Sequence, residues 1–138
     1  MSHAPLTVLS EEENMFREAI QEFARTEVGP LVHSMDKAQK MDEGLIKQCF
    51  EMGLMGVEVP EKLGGAESSF FTAILAVEAL ATVDPSVSVF VDVQNTLVNN
   101  AILGWGSDAI KEKYLPRMSS EWVGAYALSE ASSGWYVA

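Results

Sequence analysis

The stretch "LSEEENMFREAIQEFARTEV", Leu9 to Val28, constrains the fold most. Phe16, Ala19, Ile20, Phe23 and Ala24 recur at a spacing of three and four, which puts one apolar face along an α-helix and leaves glutamates and an arginine on the other. Ser10 and Glu13 stand at the spacing of a capping box. The hydroxyl can accept from an early orphan N–H while the carboxylate reaches back, and Glu11 to Glu13 lie at the positive end of the helix dipole. Gly29-Pro30 is expected to kink or interrupt this helix, since proline removes a donor and clashes with the preceding turn.

The same reasoning predicts four more helices. One runs from about Glu43 to Met52, with Leu45, Ile46, Cys49 and Phe50 on a face and Gly53 as its cap. "GLMGVEVPEKLGGAESS" follows as a connector with little regular structure, punctuated by Pro60 and Gly64-Gly65. Residues 69–82 form a helix through Phe70, Ile74, Val77, Leu80 and Ala81, with Phe71, Leu75 and Ala79 beside them. Being apolar nearly all round, it is expected at the centre. In "DPSVSVFVDVQNTLVNNAIL" the alternating valines at 87, 89, 91 and 93 suit a strand. Asp84-Pro85, the length, and the row Phe90, Val93, Leu97, Ala101 favour a helix over 85–103. Ser107 caps a last helix, "DAIKEKYL", which Pro116 is expected to close. From Trp122, "WVGAYALSE" reads as one strand entering a loop, with no partner strand anywhere in the chain. The expected fold class is therefore all-α, an orthogonal helical bundle ending in one incipient β-strand: a helical domain over 1–121 and the start of a β domain over 122–138.

Charge and cysteine content narrow the partners. A chain of 138 residues suits one domain. With 9 Lys and Arg against 20 Asp and Glu, the net charge of −11 disfavours nucleic acid and acidic membranes, which need a basic face. The acidic residues are scattered along helix surfaces and read as a solvated face. Cys49 is the single cysteine, and with His3 and His33 it makes no zinc-ligand spacing. No run approaches the length of an apolar membrane span, and the first residues carry no visible secretory or organellar signal.

One stretch combines the parts of a cofactor wall. "AYALSEASSG" offers an aromatic ring, hydroxyls and small residues, as a flavin or similar ring system needs for its flat face, its carbonyl edge and its diphosphate. Serine-rich loops are also common with no ligand at all, and on the residues alone both readings stand.

Four separated stretches carry a resemblance. "CFEMGLMGVEVPEKLGGAESSF", "AVEALATVDPSVSVFVDVQNTLVNNAI", "GSDAIKEKYLP" and "VGAYALSEASSG" come in that order and together resemble the N-terminal helical domain of the acyl-CoA dehydrogenases, most of all the short/branched-chain members. The resemblance implies non-covalent FAD, oxidation of an acyl-CoA thioester between its second and third carbons, and electron transfer to an electron-transfer flavoprotein. It also implies a homo-oligomer and a mitochondrial matrix location. Residue by residue, Tyr126, Leu128 and Ser129 match isoalloxazine contacts, and with Ala127 they lead into the matching loop of Glu130, Ala131, Ser132, Ser133 and Gly134. Val91, Gln94, Asn95 and Leu97 lie on a helix that walls the acyl pocket and become candidates for substrate contact. No catalytic residue and no metal ligand is assigned, because the carboxylate base of such enzymes belongs to a later part of their sequence. After Gly134 the chain departs from the family pattern with Trp135-Tyr136, where an indole would crowd the flavin. A short or truncated form, inactive alone, is the expectation; a non-catalytic helical self-association module is the alternative.

Overall fold

The computed structural model describes residues 5, 8–129 and 131. Among these residues the chain is helical, with no strand. Helix α1 (Glu11–Phe23) starts on the expected capping box: Ser10 Oγ accepts from the Glu13 amide at 3.2 Å, and the Ser10 amide donates to Glu13 Oε2 at 2.7 Å. Gly29-Pro30 does not break the path. The chain passes through a π-helical turn (Ala24–Val28) and a 3₁₀ turn (Gly29–Leu31) into α2 (Val32–Ala38). These changes of helical pitch absorb the proline, whose missing N–H falls where regular i to i−4 bonding has already lapsed.

Helix α3 (Glu43–Glu51) is capped by Asp42, whose Oδ1 accepts from the Leu45 amide at 3.0 Å, and ends before Gly53 at φ 73°. The following connector is more ordered than its composition suggests. Amides of Ala66, Glu67 and Ser68 donate to the carbonyls of Gly56, Val59 and Val57, each at 2.9 Å, and close the loop around a 3₁₀ turn at Glu61–Leu63.

Helix α4 (Phe70–Ala81), started by Ser69, is the central element and packs on α1 and on α5 (Pro85–Asp92). Its buried face differs from the expected one. Ala73, Leu75, Ala76, Ala79 and Leu80 are inside, while Phe70 and Ala81 are exposed. Three alanines on the buried side let neighbouring helices approach closely, so the larger aromatic at the helix start is turned out. The core joins Ile20, Phe23, Val28, Leu45, Leu54, Met55, Leu80, Val87 and Val91.

Asp84 caps α5, with Oδ1 accepting from Ser86 at 2.6 Å, and Pro85 takes the first helical position. The helix continues as a π-helical segment (Val93–Asn99) into α6 (Asn100–Trp105), so the alternating valines belong to one long helix. Helix α7 (Asp108–Ser120) begins at Ser107 and runs through Pro116 instead of stopping at it. The last turn survives because Leu115, Met118 and Ser119 are buried and the Ser120 hydroxyl bonds the Pro116 carbonyl at 2.7 Å. Tertiary packing here outweighs one lost helical hydrogen bond.

The strand expected from Trp122 does not form a ladder. Residues 122–129 have no regular secondary structure, because a strand needs a neighbour and the described residues supply none.

Candidate functional site

The long helix formed by α5, the π segment and α6 has two faces of opposite character. Polar side chains point inward. Gln94 (1% exposed) and Asn95 (2% exposed) are among the most buried residues of the protein, and a buried amide needs partners for each of its hydrogen-bonding atoms. Asn95 Nδ2 donates to the carbonyls of Leu54 at 2.7 Å and Val91 at 2.9 Å, while its Oδ1 accepts from the Val57 amide at 2.9 Å. Asn99 Nδ2 donates to the Met55 carbonyl at 2.9 Å. The helix thus clamps the 54–57 backbone with side-chain amides.

Gln94 reaches the other way, to the end of α7 and beyond. Its Nε2 donates to the Met118 carbonyl at 2.7 Å and the Trp122 carbonyl at 3.0 Å, and its Oε1 accepts from the Gly124 amide at 2.7 Å. Gly124 is seated against Val98 and Met118 so closely that an added Cβ would lie 2.6 Å from Val98 Cγ1 and 2.7 Å from Met118 Cε. Trp122 is held from outside. The Arg117 guanidinium lies 3.8 Å from its ring centroid and is itself bonded to Glu121 Oε1 at 2.6 Å, and the Tyr114 ring is tilted against the indole at 6.3 Å.

From this anchor the segment runs into the open. Ala125, Tyr126, Ala127, Leu128 and Ser129 are all exposed, Tyr126 at 51%, and among the described residues no backbone group from Ala125 to Ser129 has a protein hydrogen-bond partner. Of the expected cofactor residues, these four from Tyr126 to Ser129 are brought together on one extended run. Ala131 is exposed in a turn, and Glu130, Ser132, Ser133 and Gly134 lie outside the described residues.

The expected substrate residues divide. Leu97 is on the open side of the helix, while Val91, Gln94 and Asn95 face the interior and serve the scaffold. The open side carries Val89, Val93, Thr96, Leu97 and Asn100, a row at helical spacing that is half-buried or exposed. Thr96 on that side donates from Oγ1 to the Asp92 carboxylate at 2.9 Å. The sequence signal for the division was available in principle. Three carboxamides recur at 94, 95 and 99 on the side that continues Val87 and Val91, so the buried row is part polar.

The residues fit one wall of a flavin. A backbone without regular structure, unpaired among the described residues, offers N–H and C=O groups to a heteroaromatic edge, Tyr126 and Ser129 offer hydroxyls, and the side chain of Ala127 is small. Among the described residues no group of His, Cys, Asp and Glu is placed to hold a metal ion, and no helix is long and apolar enough to cross a membrane.

Fold and site together define an all-helical domain that presents one extended segment beside a helix with an open, largely apolar face. The family model "Acyl-CoA dehydrogenase, N-terminal domain" matches residues 10–121, and the chain belongs to the acyl-CoA dehydrogenase family through that domain. It is 48% identical over 130 residues to the probable short/branched chain specific acyl-CoA dehydrogenase of Dictyostelium discoideum, covering 94% of this chain and 32% of the relative. With the mitochondrial short/branched chain specific acyl-CoA dehydrogenase of Rattus norvegicus it shares 40% identity over 131 residues, 95% of this chain and 30% of the relative. Among solved structures, a chain of the electron transferring flavoprotein structure of Acidaminococcus fermentans superposes with a TM-score of 0.85 at 34% identity, covering 92% of this chain and 34% of that one. Butyryl-CoA dehydrogenase from Megasphaera elsdenii gives 0.83 at 28%, covering 97% and 35%. The chain spans about a third of the length of the relatives it matches.

Proposed function

We propose that this chain provides the helical wall of a flavin-dependent acyl-CoA dehydrogenase that introduces a double bond between the second and third carbons of a short or branched acyl-CoA. The observation that carries the reading is the open run Tyr126–Ser129, anchored at Gly124 by Gln94 of the 85–105 helix. When bound, FAD supplies the acceptor for the hydride leaving the third carbon. The chain's own residues do the surrounding work. Tyr126 and Leu128 give the ring a flat apolar wall, Ser129 donates a hydroxyl to its polar edge, and Val89, Val93 and Leu97 set how much acyl chain fits alongside. Residues 1–121 form the helical domain, and 122–138 begin a β domain.

Further inferences extend this reading. The rat and bovine relatives are named mitochondrial, which supports a mitochondrial location; the matrix, and a part in fatty-acid and branched-chain amino-acid catabolism, belong to the same proposal. An electron-transfer flavoprotein is the expected electron acceptor, and the working form is a homo-oligomer. On this proposal the 138-residue chain alone lacks turnover: among the described residues none is placed as a base beside the Tyr126–Ser129 run to remove the proton at the second carbon. Nitrogen-15 NMR titration of the purified chain with FAD tests the site, with shifts expected at Gly124–Ser129 and on the open face of the long helix. Unchanged resonances there at saturating FAD would refute the flavin wall, and oxidation of 2-methylbutyryl-CoA by the chain alone would refute its inactivity.

A second reading rests on Trp105, which is 91% exposed at the end of α6 with Ile110 also exposed nearby in sequence. Such an apolar tip suits a non-catalytic association module. Gel filtration of the purified chain separates the two. A large colourless oligomer that disperses on Trp105→Ser favours association, and an FAD-retaining species of any size favours the flavin wall.

A further inference from the structure

We infer that Gln94 is a positioning residue that substitutes for a neighbouring β-strand and fixes the register of the flavin-facing segment; this rests on the flavin reading above for its consequence but not for its geometry. In a parallel ladder, one residue donates its N–H to the carbonyl of residue j−1 on the next strand and accepts, through its own C=O, from the N–H of residue j+1. The Gln94 carboxamide reproduces that pattern around Val123. Nε2 donates to the Trp122 carbonyl at 3.0 Å and Oε1 accepts from the Gly124 amide at 2.7 Å. A side-chain amide thereby occupies the two backbone groups that an adjacent strand would occupy, at the one point where the segment leaves the bundle.

Three further contacts make the latch rigid. The remaining Nε2 hydrogen is used by the Met118 carbonyl at 2.7 Å, so every hydrogen-bonding atom of the amide is committed and its two ends cannot exchange roles without pairing N–H against N–H and C=O against C=O. Val98 and Met118 close the space around Gly124 to less than a methyl group. The stacked Arg117 guanidinium holds the Trp122 ring from the solvent side. A shift of one residue would lose both ladder-like bonds and turn Tyr126 to the opposite side of the run. Gln94 sits in the π-helical stretch Val93–Asn99 of the same helix whose other face carries Val93 and Leu97. It therefore couples the acyl-facing row to the flavin-facing run through one side chain.

Amide hydrogen exchange on the 138-residue chain tests this without any cofactor. In Gln94→Met, protection of the Gly124 amide is expected to fall by about tenfold or more, as for a lost buried hydrogen bond, while the Val57 amide, held by Asn95, keeps its protection. Gly124→Ala reaches the same end from the other partner, by forcing residue 124 off its seat against Val98 and Met118, and serves if Gln94→Met does not fold. Wild-type Gly124 protection in a folded Gln94→Met chain overturns the latch, whatever the flavin result. FAD-induced shifts at Tyr126–Ser129 are measured in parallel. If Gly124 protection is lost but those shifts persist at the wild-type FAD concentration, the positioning role is refuted. If the wild-type chain shows no such shifts, the flavin reading fails and the exchange data still decide the latch.

Discussion

Removing the Asn95 carboxamide tests whether the long helix is held by polar side chains or by apolar packing. Asn95→Ala leaves the Val57 N–H and the Leu54 C=O without their partner in an interior where Asn95 is 2% exposed and both neighbours are buried. Each orphaned group costs about 1–3 kcal/mol, so a loss of about 4 kcal/mol is expected for the pair. That is a large share of the roughly 5–15 kcal/mol that holds a domain of this kind. In urea, with a slope of about 1–3 kcal/mol per molar for a small protein, the midpoint should fall by about 2 M. Asn95→Leu should do no better, since it restores apolar volume but leaves both groups unpaired. Thr96→Ala, one residue away on the open side, should stay within about 0.5 kcal/mol. Far-UV circular dichroism against urea measures all three. A midpoint for Asn95→Ala within about 0.3 M of wild type would refute the reasoning and show that water or a small backbone shift satisfies the 54–57 loop.

The remaining predictions use the same assay or a simple variant of it. Ser10→Ala removes the capping-box hydroxyl of α1 and should destabilise the chain by about 1 kcal/mol. Gly65→Ala puts a Cβ 2.0 Å from the Val59 carbonyl oxygen, where backbone and not a movable side chain is the obstacle; thermal unfolding should report a loss of about 2–3 kcal/mol. Cys49 is fully buried, and burial pushes its thiol up to about 11 from 9.0. It should resist alkylation in the native chain at mildly alkaline pH and react once urea unfolds it. Because the folded thiol ionises later than the unfolded one, its contribution to stability is complete below pH 9 and is lost as pH rises toward 11, by about 2–3 kcal/mol. Urea midpoints of wild type and Cys49→Ala across that window check the sign, since the variant should lack this part of the decline.

The capped helices were legible because their signals are local. Ser10 with Glu13, and Asp84 with Pro85, each mark a start through atoms a few residues apart, and both starts are where the pattern puts them. What escaped depends on contacts distant in sequence. Pro116 should end a helix on local grounds, yet Leu115, Met118 and Ser119 are buried by other elements and carry α7 past it. The direction of the 85–105 helix was misleading for a related reason. Apolar spacing through Phe90, Val93, Leu97 and Ala101 identifies the helix but not its buried side: those residues are half-buried or exposed, and the interior is lined by amides most of whose partners are 24 to 44 residues away. A glutamine inside a helix reads as surface until the backbone groups it serves are known.

The same asymmetry explains why the candidate site stands out physically. From α1 to α7 the bundle satisfies most of its own interior, with cross-loop bonds closing the 56–68 connector and carboxamides clamping the 54–57 backbone; Asn99 Oδ1 and Ser119 Oγ are the buried exceptions near the long helix. Beyond Gly124 the described residues show no further hydrogen bonds, and the five from Ala125 to Ser129 are exposed, with an aromatic ring and a hydroxyl among them. The bundle gains from the anchor itself, since Gln94 satisfies the Met118 carbonyl in the last turn of α7, but Trp122 and Gly124 are fixed beyond that turn by the same amide, a close-packed glycine and a stacked arginine. Ordering that anchor lowers conformational entropy, and on the flavin reading proposed above that cost is recovered when a ring is laid along Tyr126 to Ser129. Preorganisation of this kind raises affinity by removing the ordering cost from the binding step, which is why the anchor, more than the exposed residues themselves, argues for a ligand.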